Sequence, residues 1–99
     1  MTKLFLDGEK VSNLEPLKDL KLTWLCIPAT LVRDLSPLKN TPLTFLDMRF
    51  TPVSDLLPLK GNPLKGILLS FNRERDAEVL RSITTLETIN YIAAKEFLK

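Results

Sequence analysis

Apolar residues in this chain recur at fixed places in a unit 21 residues long, with successive units opening at Met1, Leu22, Leu43 and Leu64. The fourth and sixth positions hold Leu4 and Leu6, then Leu25 and Ile27, Leu46 and Met48, and Ile67 and Leu69. A spacing of two is the period of a strand with one buried face. The eleventh, fourteenth and seventeenth positions hold Val11, Leu14 and Leu17, then Val32, Leu35 and Leu38, then Val53, Leu56 and Leu59. A spacing of three suits a 3₁₀ or single helical turn with one side inward. Each unit therefore reads as a short strand, a turn, a helical turn and a return. So short a return sets successive strands side by side and parallel, and the buried positions stack into apolar columns.

The fourth unit breaks the pattern. Val79 stands where Pro16, Pro37 and Pro58 stood, and residues 73–83 (RERDAEVLRSI) contain good helix formers and no breaker. An α-helix is expected there, with Asp76 as its N-cap and Val79, Leu80 and Ile83 inward. LETINY, residues 86–91, reads as a shortened fifth strand offset by one residue, and residues 92–99 as part of a C-terminal cap.

The segments LTFLDMRFTPV and LTWLCIPATLV resemble the L-x-x-L-x-L-x-x-N/T-x-L signature of the leucine-rich repeat family. The V-x-D-L-x-P-L-K that follows, at residues 32–39 and 53–60, resembles the convex segment of bacterial internalin-type repeats. The resemblance implies an α/β leucine-rich-repeat solenoid of about four repeats (1–21, 22–42, 43–63 and 64–85) with a helical cap over 86–99, all in one domain. It implies a parallel sheet on the concave face, 3₁₀ or helical turns on the convex face, and a non-catalytic module that binds a protein partner. Where this family often has Asn, the chain has Glu9, Thr30, Thr51 and Asn72. A threonine hydroxyl replaces only part of what an Asn amide bonds.

Residues that recur have structural explanations. Asn13, Asp34, Asp55 and Asp76 precede each helical turn, where a short polar side chain accepts free backbone N–H groups. Proline three residues later falls in the first turn, where its missing N–H costs little. Lys18, Lys39, Lys60 and Arg81 form a basic row on the convex side, read as a solvated edge.

What does not recur is the face opposite the core, where the third, fifth and seventh positions point. The third-position ladder is Lys3, Trp24, Phe45, Gly66 and Thr88; the fifth is Phe5, Cys26, Asp47, Leu68 and Asn90; the seventh is Asp7, Pro28, Arg49 and Ser70. Exposed aromatics beside a charged pair match the composition of interface hot spots. The expected partner-binding set is Phe5, Trp24, Phe45, Asp47, Arg49 and Leu68. Cys26 is expected on this open face, and Phe50 and Phe71 are expected to fold into the turn and pad the core.

Composition adds mainly exclusions. A net charge of +2 does not call for a nucleic-acid partner. With no histidine and one cysteine, neither a metal site, a disulfide framework nor a cofactor is expected, and an enzyme is not. Apolar runs fall far short of the roughly 18 residues of a membrane span. The opening residues lack a signal sequence, which points to a soluble chain in the cytoplasm unless a leader was trimmed. Residues 1–6 already form the first strand, so three readings stand: a fragment of a longer repeat protein, self-association through the uncapped N-terminal edge, or exposure tolerated by Lys3, Asp7, Glu9 and Lys10. Self-association is the alternative function to partner binding.

Overall fold

A computed structural model describes residues 3–6, 8 and 10–99, so readings that involve Met1, Asp7 and Glu9 lie outside the described residues. Strands begin two residues into each unit: β1 (Lys3–Phe5), β2 (Trp24–Cys26), β3 (Phe45–Asp47) and β4 (Gly66–Leu68). They pair parallel and in sequence order, with Lys3 against Trp24, Trp24 against Phe45, and Phe45 against Gly66. The fifth strand, β5 (Thr88–Ile89), joins with Thr88 against Gly66, one residue beyond the 21-residue period. A final strand, β6 (Ile92–Ala93), runs antiparallel to β5 and leads into α2 (Ala94–Phe97). Its two-residue hairpin has left-handed backbone at both Asn90 (φ 52°) and Tyr91 (φ 69°), the condition of a type I′ turn. The result is an α/β fold with a six-stranded, mostly parallel sheet.

Opposite the sheet lie the 3₁₀ turns Glu15–Leu17, Ser36–Leu38 and Leu57–Gly61, each with proline at its second residue. Asn13, Asp34 and Asp55 each accept a backbone N–H two residues ahead, at 3.0, 2.9 and 2.9 Å. Each side-chain oxygen meets the N–H of the first residue of the 3₁₀ turn, and the proline that follows has no N–H to be satisfied.

The apolar columns fill the space between the two layers. Leu22, Leu25, Ile27, Leu38, Leu43, Leu46, Leu59, Leu64 and Ile67 are fully buried, while Leu4, Leu6, Val11 and Leu17 of the first unit are half-buried. Each fully buried aliphatic side chain contributes about 1.5–3 kcal/mol over its exposed state, so the central units carry most of the hydrophobic stabilisation. The amide nitrogen of Asn62, itself buried, reaches back to the carbonyl oxygens of Leu38 (3.0 Å) and Thr41 (2.8 Å), tying one return to the previous one.

Helix α1 (Arg73–Ser82) replaces the fourth 3₁₀ turn, as the missing proline and the run of helix formers predict. Its N-cap is Asn72, not Asp76: the Asn72 side chain accepts the Arg75 N–H at 3.1 Å. Asp76 lies inside the first turn, fully buried, and accepts the Asn72 N–H at 2.9 Å and two N–H groups of the Arg75 guanidinium. That guanidinium also donates to the carbonyl oxygen of Val53 at 3.1 Å. The carboxylate therefore locks the helix onto the preceding unit as well as onto its own start. Leu80 and Ile83 are buried as expected, and Val79 packs half-buried against the core.

Candidate functional site

The sheet face away from the core carries the uneven ladder that the sequence singles out. Its third-position row is one continuous stack. Lys3 Nζ lies 4.8 Å from the Trp24 ring centre, and Trp24 and Phe45 stack with centroids 4.2 Å apart and planes 26° from parallel. Strand spacing of about 4.8 Å suits such stacking, and each aromatic pair contributes about 0.5–1.5 kcal/mol beyond its buried area. The Phe45 ring then leans over Gly66, where an added Cβ would come within 3.1 Å of it. Glycine at this point gives the ring a floor with no side chain in the way.

The fifth-position row departs from expectation. Phe5 is 63% exposed, but Cys26, Asp47 and Leu68 are buried. Asp47 is clasped by Arg49. Burial pushes the Cys26 thiol above its ordinary pKa, against the Trp24 hydrogen bond, which lowers it. Cys26 is thus a covered thiol in place of the open one expected. Asp47 accepts from Arg49 Nε at 3.0 Å, Nη2 at 2.8 Å and the Arg49 backbone N–H at 3.2 Å. The charged pair expected beside the aromatics does form, but its acid lies underneath and its base half-exposed on top. Hydrogen bonding to Asp47 holds the Arg49 guanidinium above its ordinary pKa. Of the six expected binding residues, Phe5, Trp24, Phe45 and Arg49 reach the surface, while Asp47 and Leu68 lie beneath it.

At the strand exits, the eighth position adopts left-handed backbone in three units: Gly8 (φ 65°), Ala29 (φ 58°) and Phe50 (φ 60°). The next residue closes the turn, with Thr30 and Thr51 hydroxyls donating to the carbonyl oxygens of Ile27 (2.9 Å) and Met48 (2.8 Å). This conformation turns Phe50 outward, and it is 72% exposed where the sequence predicted core padding. Phe71, which leads into α1 without left-handed backbone, does pack inward and meets Phe97 edge-on at 4.7 Å. Tyr91, on the β5–β6 turn, is 77% exposed and was not singled out in the sequence. Its only advance signal is the dipeptide Asn90-Tyr91 after an apolar strand, since Asn tolerates left-handed backbone.

On the opposite side, Lys18, Lys39, Lys60 and Arg81 are exposed as expected. A shallow cleft of about 430 Å³ between the first two 3₁₀ turns gathers Lys18, Lys21 and Lys39 with Glu15 and Asp19. Lys18 pairs with Glu15 at 3.4 Å. Among the described residues no group of His, Cys, Asp and Glu side chains could hold a metal ion, and no helix is long and apolar enough to cross a membrane.

No protein-family model matches this chain, and a sequence search of curated proteins finds no match.

Proposed function

We propose that this chain is a leucine-rich-repeat solenoid that acts as a non-catalytic interaction module and holds a segment of a protein partner on the open face of its sheet. The repeat reading draws support from strands that pair in register one 21-residue unit apart and from proline-bearing 3₁₀ turns at matching places in three units. The observation that carries the binding reading is the aromatic surface on that face. Phe5, 63% exposed, stands beside the half-exposed Trp24–Phe45 stack, with cations at Lys3 and Arg49. Such a surface offers a partner flat apolar area at low entropic cost, with charge at its margins to orient it.

Trp24 is the chain's single tryptophan and so a built-in reporter. Peptides selected from a displayed random library against the immobilised chain are expected to shift Trp24 emission. Trp24→Ala and Phe5→Ser are each expected to weaken these peptides about tenfold or more while the far-UV circular dichroism stays unchanged. Selected peptides that bind both variants as tightly as the wild type would overturn the sheet-face reading.

A further inference from the structure

The strand-exit rim, next to the sheet face, carries a feature that packing does not explain. Phe50 holds left-handed backbone (φ 60°), which disfavours every residue with a Cβ and large ones most, yet its ring is 72% exposed. The same place is Gly8 and Ala29 in the preceding units, both small. The turn itself serves the fold, with the Phe50 N–H donating to the Ser70 hydroxyl at 3.1 Å, but the turn needs no large ring, and an exposed Phe in place of Gly or Ala adds strain that packing does not repay. Around it, positions 28–31, 49–52 and 70–73 are rich in apolar side chains, with Leu31 54% exposed. The only charged residues among those twelve positions are Arg49 and Arg73, both cations. Asp47 orients Arg49 through Nε and Nη2, and among the described residues Nη1 has no hydrogen-bond partner.

We infer that this rim, centred on Phe50, is a docking surface for an acidic, apolar segment of the partner protein, with a partner carboxylate on Arg49 Nη1 and a partner aliphatic or aromatic side chain against Phe50 and Leu31. The inference rests on the interaction-module reading, and it extends the contact from the sheet face to the rim. Charge complementarity selects the partner: an anionic segment meets Arg73 and the free Nη1 edge of Arg49, whose other edge Asp47 holds from beneath, and no acid stands among the twelve rim positions.

The test uses the same displayed library. Selected peptides are expected to be enriched in Asp or Glu close to a large apolar residue, and to bind several-fold more weakly as salt rises from low to physiological strength and beyond. Phe50→Gly is expected to keep or raise the melting temperature, because glycine accepts this backbone freely, and to weaken binding about tenfold or more. Leu31→Ser is expected to weaken it less. A lower melting temperature with unchanged affinity would show that Phe50 serves packing and overturn the inference. Binding lost in Trp24→Ala but intact in Phe50→Gly would remove the rim and leave the sheet face, and indifference to both would remove both readings. A library that yields no binder, or only basic or salt-insensitive ones, counts against the inference. So does a concentration-dependent dimer in sedimentation that Phe50→Gly dissociates, since the occupant would then be a second copy.

Discussion

Asp55 and Asp76 stand at the same place in successive units and do different work. Asp55 is exposed and accepts one backbone N–H, that of Leu57, before a proline-bearing 3₁₀ turn. Asp76 has no accessible surface, accepts the Asn72 N–H and two N–H groups of Arg75, and lies inside an α-helix. The difference begins three residues later, with Pro58 in one unit and Val79 in the other. Proline near the start of the turn favours a short 3₁₀ segment that leaves the carboxylate in water. Without it the chain continues as a helix, the start moves back to Asn72, and the carboxylate is carried inward. Once inside it needs a cation, and Arg75 supplies one while also holding the Val53 carbonyl oxygen. A repeated residue thus need not have a repeated role.

Removing the acid tests this contrast most severely. Asp76→Ala leaves Arg75 without its partner, exposes unmet donors at the helix start and loosens the helix from the third unit. An expected loss of about 3 kcal/mol, the lower end for breaking a buried pair since Arg75 is partly solvated, is measurable by urea denaturation. Asp55→Ala should cost less than about 1 kcal/mol, as for an exposed cap, and equal losses would erase the distinction. Next in size, Asn72→Ala should cost about 1 kcal/mol through the lost N-cap, and its helix amides near Arg75 should exchange faster with solvent. If Asn72→Ala is silent, the helix start lies elsewhere.

The smallest effect is a pH effect in an exposed turn. The Ser36 backbone N–H, and secondarily the Ser36 side chain, hold the Asp34 carboxyl below the usual carboxylate range. A lowered folded pKa means that the stabilisation is present above the unfolded value and is lost as pH falls through the folded one. An NMR titration should therefore find the Asp34 midpoint below that of an unstructured aspartate. Ser36→Ala, which keeps the backbone N–H, should retain most of that displacement. An ordinary midpoint would mean that the turn before the 3₁₀ segment does not persist in solution.

Much of the architecture is legible in the chain because it depends on local periodicity. Spacings of two and three place the strands and the 3₁₀ turns, and the loss of one proline places α1. The Lys3–Trp24–Phe45–Gly66–Thr88 row follows from the period and its one-residue slip, and the sheet has that register. The site is only half legible. Trp24 and Phe45 are neighbours as the spacing requires, but spacing does not say that Cys26 and Leu68 are covered, or that Arg49 clasps a buried Asp47. Phe50 is a similar case: its aromatic character argues for burial, whereas its backbone conformation turns it outward.

The sequence by itself determined the order of elements as far as β5, the parallel register and the apolar columns, because each depends on which residues recur at a fixed interval; the antiparallel β6 lies beyond the last repeat and was not legible in it. Only the tertiary structure decided which of the non-recurring side chains face solvent. That depends on how a long residue such as Arg49 folds back over Asp47 two places earlier in the chain, and on the sign of φ at a single turn residue. It also decided that Asp76 is locked inside while Asp34 and Asp55 remain in water, because a carboxylate's burial depends on a partner such as Arg75 being within reach and on the helix that brings it there.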